Sequence, residues 1–353
     1  MVPINKKIPV AVLGATGAVG QRFVQLLSAH PWFSINALAA STRSQDKRYS
    51  DACGWHLNGF MPEVVRDMRI APVEPGLDAR IVFSALPADV ARSVEPAFAK
   101  AGYIVCSNSS AFRLDTDVPV IIPEVNADHL SLLKRQREER KWKGLLITSP
   151  NCTTSGIAIP LKPLDVALGL KKVIAVSMQA VSGAGYPGLS YLDIQDNVIP
   201  YINGEEEKME RESRALLGKM IGKKRVDAEF SFSAQANRVP VSEGHTICLS
   251  MEFSQKTTPA EVVDLLNNYR SPIFQPTLPG MPLFPIRVRD EMDRPQPRKD
   301  RSAGEGMQVS VGRVRSCPVL DVRMVSVVHN TLRGAASGAI LNAELLVAEG
   351  YLS

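Results

Sequence analysis

No apolar run in this chain of 353 residues approaches the ~18 residues that a membrane-crossing helix needs, so a membrane protein is not expected. The opening MVPINKKIPV lacks the apolar centre of a secretory leader, which points to a cytoplasmic protein. Cysteine is scarce: five residues, Cys53, Cys106, Cys152, Cys248 and Cys317, an odd number with no CxxC pair. That excludes a disulfide framework and suits a reducing compartment. Cys53 and His56 form one CxxH with no second pair to complete a ligand set, so no metal is expected. Neither charge sign dominates, with 41 basic against 36 acidic residues, a net charge of +5. The basic residues are dispersed and not interleaved with aromatics, which gives no case for nucleic acid, whereas a small anionic substrate would be suited. Repeats and low-complexity tracts are also missing. What is there, 45% hydrophobic and 22% charged residues, describes an ordinary globular protein long enough for two domains.

The first 150 residues alternate strand-like and helix-like runs. Ile8–Leu13, Ile35–Ala40, Arg80–Ala85, Tyr103–Ser107 and Leu145–Thr148 read as strands, and Val19–Ser28 and Ala88–Ala101 as helices. Short β-rich runs separated by helices predict a mostly parallel sheet covered on both faces. The basic segment 128–143 reads as a solvated amphipathic helix. After Cys152 the strands lengthen and alternate with period two: Lys172–Val181, Ala228–Ala236, Thr246–Phe253, Gln308–Val314 and Val319–Val328. Helices follow Glu205 and Pro259, giving an α+β domain. Segment 289–306 reads as an exposed loop. Leu332–Glu349 is a helix stopped by Gly350, long enough to return to the first domain.

Gly14-Ala15-Thr16-Gly17-Ala18-Val19-Gly20 falls where the first strand meets the first helix. Glycines there permit a tight turn and let a pyrophosphate approach free N–H groups at the helix start. The expected cofactor contacts are Gly14, Thr16, Gly17, Ala18 and Val19. At the end of the second strand, NAD would call for a carboxylate on the ribose 2′-hydroxyl. This chain offers Ser41, Arg43 and Ser44 instead, which suits the 2′-phosphate of NADP. Ser84 and Leu86 end another strand of the same sheet, where ligands of such folds lie.

The stretch SPNCTTSG, 149–156, sets Cys152 among small polar residues where a strand stops. A thiolate is a strong nucleophile, and a helix N-terminus or an imidazole lowers its pKa. Thr153, Thr154 and Ser155 are good N-capping residues. Pro160 and Pro163 argue against one straight helix, so only a helical first turn is expected. A cysteine nucleophile beside a nicotinamide implies thioester and thiohemiacetal chemistry, which needs a proton partner. His245, in RVPVSEGH, stands at a turn entering a strand, with Gly244 for conformational freedom and Arg238 seven residues upstream. A histidine near its free pKa suits reversible proton transfer. His30, His56 and His129 read as solvated, and His329 as a packed histidine ending a strand.

Taken together, GATGAVGQ, SPNCTTSG, RVPVSEGH and the closing HNTLRGAASGAILNAE resemble aspartate-semialdehyde dehydrogenase of the archaeal and fungal-like branch, over essentially the whole chain. The resemblance implies a Rossmann-type α/β dinucleotide-binding domain, residues 1–150 plus about 331–353, and an α+β catalytic and dimerisation domain, 151–330. It implies reversible NADPH-dependent reduction of L-aspartyl 4-phosphate to L-aspartate 4-semialdehyde and phosphate, on the route to lysine, methionine and threonine. Cys152 then matches the nucleophile, His245 the acid/base and Gln179 a residue orienting the substrate or intermediate. Arg238 matches the arginine that grips the α-carboxylate, and Glu205 would face the amino group. Arg113 and Lys208 would take the phosphate, with Asn151 close to the nucleophile. Ser182, Gly183 and Gly185 resemble the loop beside the nicotinamide, and Asn342 an amide residue on the nicotinamide side. A homodimer or homotetramer is implied. The residues themselves leave matters open. EEEKMERESR, 205–214, reads alone as a solvated helix face, and a neighbouring glutamate competes with Glu205 for the substrate. A malonyl-CoA or other acyl reductase on the same scaffold, and a non-catalytic NADP-binding protein, are the alternatives.

Overall fold

The computed structural model describes residues 6–352, so the reading of MVPINKKIPV lies partly outside them. Six strands form a wholly parallel sheet: β1 (Ile8–Leu13), β2 (Phe33–Ala39), β3 (Ile70–Ala71), β4 (Ile81–Ser84), β5 (Ile104–Ser107) and β6 (Leu145–Thr148). Alternate residues serve opposite faces, as strand geometry demands. Val10, Val12, Phe83, Cys106 and Ile147 enter one core, while Ala11, Leu13, Val82, Val105 and Leu146 enter another. Both faces are buried, which is why these strands read as unbroken apolar runs. The first core is closed by Phe23, Val24 and Leu27 of helix Ala18–Leu27 and by Ile340, Leu341 and Leu345 of helix Ser337–Ala348. The C-terminal helix therefore does return to the first sheet. Helix Ala88–Ala101 covers the opposite face through Ala91, Phe98 and Ala99.

The strand order β3-β2-β1-β4-β5-β6 reverses direction at β1 and β4. Ligands of open α/β sheets bind at such a switch point, beyond the C-terminal ends of the strands. The fold thus positions the glycine turn after β1 at that crevice.

A second, mixed sheet follows, with β7 (Leu170–Gln179), a small ribbon β8 (Lys219–Ile221) and β9 (Lys224–Val226), then β10 (Ser231–Arg238), β11 (His245–Phe253), β12 (Ile286–Arg289), β13 (Val309–Ser316) and β14 (Val322–Val328). Its order is β10-β7-β11-β14-β13-β12, with the ribbon apart. One face packs on helices Cys152–Leu168, Glu205–Leu216 and Pro259–Asn268 through Ile157, Leu161, Met209, Leu216, Val262 and Leu266. The other exposes Ile174 and Cys248. Strand limits differ from the sequence expectations by up to three residues, the usual uncertainty of element ends.

Three expectations fail. The helix that starts at Cys152 runs unbroken to Leu168 through both prolines. Pro160 cannot donate to Gly156, four residues back; the freed carbonyl of Gly156 instead accepts from Ser326 Oγ at 3.1 Å, on β14. Segment 289–306 is not a simple exposed loop, because Asp300 is buried and binds Arg294 and the amide of Gln296 at 2.6 Å. Finally, Leu332–Glu349 is not one helix. Residues Leu332–Ala336 form a π-turn, the wider winding often found at functional sites, before the α-helix begins at Ser337. Gly350, at φ +75°, supplies the stop.

Candidate active site

β6 ends at Thr148 and Cys152 opens the next helix, so the nucleophile candidate stands at the C-terminal edge of the first sheet. Asn151, and not the threonines, is the cap. Its Oδ1 accepts from the amides of Thr153 and Thr154 at 2.9 and 3.2 Å. Its side chain also donates, through Nδ2, to Glu205 Oε1 at 2.8 Å. Glu205 Oε1 accepts further from Gln179 Nε2 at 3.0 Å and Thr153 Oγ1 at 3.3 Å, while Lys208 stands 3.7 Å from Oε2.

Cys152 Sγ lies 3.2 Å from His245 Nε2. His245 begins β11, and Gly244 before it has φ +97°, the freedom that the turn requires. The ring is fully buried, and its Nδ1 accepts from the amide of Ala180 at 3.0 Å. With Nδ1 committed as acceptor, a neutral ring carries its proton on Nε2, aimed at sulfur. Burial, reinforced by the positive Arg238 and by His329, pushes the imidazole down to about 3. The expectation of a histidine near its free pKa is therefore corrected. The thiol is corrected likewise. Some of its surface is accessible, yet it is packed densely enough that desolvation, aided by the negative Glu205, pushes it up to about 12 against the pull of Arg113 and the Thr153 amide. The resting pair is a neutral thiol and a neutral imidazole.

A cavity of about 350 Å³ gathers Leu86, Arg113, Asn151, Cys152, Gln179, Gly183, Glu205, Lys208 and Arg238. Nine of the residues singled out in the sequence meet there, with His245 directly behind the sulfur. Arg113 is held by Glu212 Oε1 at 3.1 Å and by the Asn108 carbonyl at 2.8 Å. Arg238 donates to the Ala180 carbonyl at 2.8 Å. Gly183 is required by close approach: a Cβ there would stand 2.7 Å from Arg238 Nη1 and 3.2 Å from His245 Cε1. Of the three successive glutamates, Glu205 is the buried one facing the cavity, whereas Glu206 caps the amide of Ala236 and Glu207 is exposed. A larger cavity, about 780 Å³ and lined by Lys171, Arg211 and Arg225, shares none of these residues.

At the switch point, Gly14 takes φ +75°, and a Cβ on it would meet the Ala85 carbonyl at 2.8 Å and Leu86 Cδ2 at 3.6 Å. Gly17 precedes helix Ala18–Leu27, and no side chain caps its first turn, which leaves amides for an anion beside Thr16, Ala18 and Val19. The amides of Gly14 and Ala15 both bind the carbonyl of Ala39, so the tip of β2 adjoins the turn. Beyond that tip, Ser41 and Ser44 close a turn at 2.8 Å. Arg43 is exposed and pairs with no carboxylate among the described residues. These features fit a dinucleotide with a 2′-phosphate. Ser84 is buried at the end of β4. Ser182 and Gly183 lie in the turn Val181–Ala184, with Gly185 next to it at φ +74°. Asn342 is buried away from the 350 Å³ cavity; its Nδ2 donates to the Ile121 carbonyl and Ser149 Oγ, each at 3.2 Å, and its Oδ1 has no protein partner.

Other residues escaped the sequence reading. Glu212 is buried and joins Arg113 to the amide of Asn151. Its seven-residue spacing from Glu205 puts it on the same helix face, a signal that was present. Two histidines expected in solvent are buried: His30 lies 2.9 Å from Glu344 Oε1, and His129 bonds Asn126 at 3.0 Å. His56 is exposed, as expected, and His329 is packed.

A switch-point glycine turn together with a half-buried cysteine backed by a buried histidine defines a nucleotide-dependent dehydrogenase that works through a thiol. Residues 9–133 match the family model described as semialdehyde dehydrogenase, NAD binding domain, and residues 161–333 that of the semialdehyde dehydrogenase dimerisation domain. The chain is 48% identical to the aspartate-semialdehyde dehydrogenase of Archaeoglobus fulgidus, over 96% of this chain and 98% of that one. It is 44% identical to the Cryptococcus neoformans enzyme of the same name, over 98% of each. The crystal structure of the Candida albicans aspartate semialdehyde dehydrogenase with NADP superposes with a TM-score of 0.91 at 40% identity, covering 98% of this chain and all of that one. The Vibrio cholerae aspartate semialdehyde dehydrogenase II complexed with ASA gives 0.78 at 26%, over 98% and 99%. The chain belongs to the aspartate-semialdehyde dehydrogenase family.

Proposed function

We propose that the protein catalyses the reversible NADPH-dependent reductive dephosphorylation of L-aspartyl 4-phosphate to L-aspartate 4-semialdehyde, in lysine, methionine and threonine biosynthesis. The observation that carries this reading is the cavity in which a Cys152–His245 contact is ringed by charges complementary to that substrate. Glu205 Oε2 receives the ammonium, Arg238 the α-carboxylate, and Arg113 with Lys208 the phosphate. A CoA thioester has no ammonium to offer Glu205, which argues against the acyl-CoA alternative.

Sulfur attacks the acyl carbon and the carbon–oxygen bond to phosphate breaks; the thiol proton passes to the departing phosphate, which leaves as a hydrogen phosphate dianion neutralised by Arg113 and Lys208. An ammonium beside Glu205 cancels the negative field that helps keep the thiol protonated, so substrate binding itself favours the thiolate. Gly14, Thr16, Gly17, Ala18, Val19, Ser41, Arg43, Ser44, Ser84, Leu86 and the Ser182–Gly185 turn with Asn342 would hold NADPH, which would supply the hydride that the carbon needs. His245 Nε2–H donates to the oxygen on the carbon bound to sulfur and steadies its charge until the carbon–sulfur bond breaks, releasing the aldehyde and a thiolate that takes up the one proton the reduction consumes. Asn151 and Gln179 hold Glu205 in position for the substrate.

The same reading divides the chain into a cofactor-binding part, 1–150 with 331–353, and a catalytic and dimerisation part, 151–330. It includes a cytoplasmic location; no helix of the described residues is long and apolar enough to cross a membrane. It also includes a homodimer or homotetramer formed through the second sheet, whose outer face leaves Ile174 44% exposed. The test is NADP reduction by aspartate semialdehyde in the presence of phosphate. Absence of that turnover, alongside activity with malonyl-CoA, overturns the reading.

A further inference from the structure

Three consecutive residues after β14, His329-Asn330-Thr331, grip the segment that leads into His245. Asn330 is buried, and its Oδ1 accepts from the amide of Gly244 at 2.9 Å. The other end of the same amide donates to Ser182 Oγ at 2.8 Å. One side chain therefore joins the histidine's own preceding peptide to the turn that carries Gly183, which itself lies against the His245 ring. Thr331 Oγ1 donates to Glu243 Oε1 at 2.9 Å, and His329 Nε2 stands 3.6 Å from Glu243 Oε2. Arg22, on the helix that follows the glycine turn, reaches the same Glu243 oxygen at 2.9 Å. Backbone bonds from Val181 to Val241 at 2.8 Å and from Ser182 to Ser242 at 3.3 Å run the two segments side by side.

The chemistry makes this clamp consequential. His245 acts through one ring nitrogen at 3.2 Å from sulfur, and its orientation rests on a single backbone bond from Ala180. The two segments of that arrangement, 180–183 and 241–245, are spanned by Asn330, and no other side chain among the described residues bonds to both Gly244 and Ser182. A buried amide with both ends committed resists displacement, because losing either bond leaves a desolvated polar group without a partner.

We propose that Asn330 is a positioning residue for His245: it fixes the imidazole against Cys152 and the Ser182–Gly183 turn in one register, with Thr331 and Glu243 as its support. The inference rests on the assignment of Cys152 and His245 as the reacting pair. Asn330→Ala is expected to lower kcat about 10–100-fold while leaving each KM within about twofold, the signature of misplacement and not of lost binding. Alkylation of Cys152 by iodoacetamide, which needs no substrate, should slow in step. Asn330→Asp retains an acceptor for Gly244 and for the Ser182 hydroxyl, and should recover most of the lost kcat. Should Asn330→Ala not fold, Thr331→Val, which removes the hydroxyl that donates to Glu243 and meets Arg22 and His329 but leaves both Asn330 bonds in place, is expected to give a smaller fall in kcat with the same steady KM. Unchanged kcat and alkylation in the Ala variant overturn the proposal. So does equal damage in Ala and Asp accompanied by loss of NADP binding, which marks a merely structural part. A wild-type protein without Cys152-dependent turnover instead refutes the assignment of the pair, a distinct outcome.

Discussion

Gly334 lies flat against Cys152: a Cβ at position 334 would stand 2.6 Å from the cysteine Cβ and 2.8 Å from its Cα. The π-turn brings the chain this close, and it is fastened by Arg333, whose two terminal nitrogens each lie 2.6 Å from Glu124. Gly334→Ala must push either the turn or the nucleophile aside. A fall in kcat of about 100-fold is expected with near-normal NADP affinity, measured by steady-state kinetics and cofactor titration. Wild-type kcat would show that the contact relaxes at no cost.

The Arg333–Glu124 pair is itself buried on both sides. Arg333→Ala strands a carboxylate in the interior and is expected to destabilise the fold by about 3–5 kcal/mol. Urea unfolding measures it, and Arg333→Met combined with Glu124→Leu should recover much of the loss.

Cys152→Ser is expected to abolish turnover while NADP binding stays near normal, by fluorescence titration. A parallel loss of cofactor binding would make the residue chiefly structural. Arg43→Ala should weaken NADP binding by about 10–100-fold and NAD binding far less, the range expected for hydrogen bonds to a charged group. Equal losses remove the 2′-phosphate role.

Glu205 raises the thiol, so Glu205→Gln should move the pH profile of Cys152 alkylation downward. An upward or unchanged profile would mean that the carboxylate's field does not reach the sulfur.

Buried histidines give the protein an acid limit. Folding holds His245 at about 3 and His329 at about 4, each mainly through burial, and burial lowers His129 too. In the unfolded chain each returns to about 6.5. Between those values the unfolded state binds more protons, so stability falls as pH drops below about 6.5 and continues falling toward 4. Urea midpoints at pH 7.5 and 5 test this, and His329→Asn should flatten the slope.

Much of this was legible in sequence because parallel strands buried on both faces leave continuous apolar runs: Ile8–Leu13 and Leu145–Thr148 end where the sequence says they do. The glycine turn and the cysteine stretch were legible for a related reason, since each interrupts such a run with residues whose backbone needs are specific. What sequence concealed is compensation at a distance. Pro160 looks like a helix breaker until Ser326 is seen beside Gly156, 170 positions along the chain. His30 and His129 look solvated because their partners, Glu344 and the Gly218 carbonyl, belong to other segments. The pKa shifts of Cys152 and His245 follow from packing density, which no local pattern records.

The proline helix has one more consequence. By giving up a bond within itself, the segment that begins at the nucleophile gains a rivet to β14, through the hydroxyl of Ser326. Since a carbonyl oxygen can accept twice, Pro160→Ala would add the helix's own donor beside that rivet without displacing it. The helix that carries the nucleophile is thus tied to the sheet at a point where its own ladder is open.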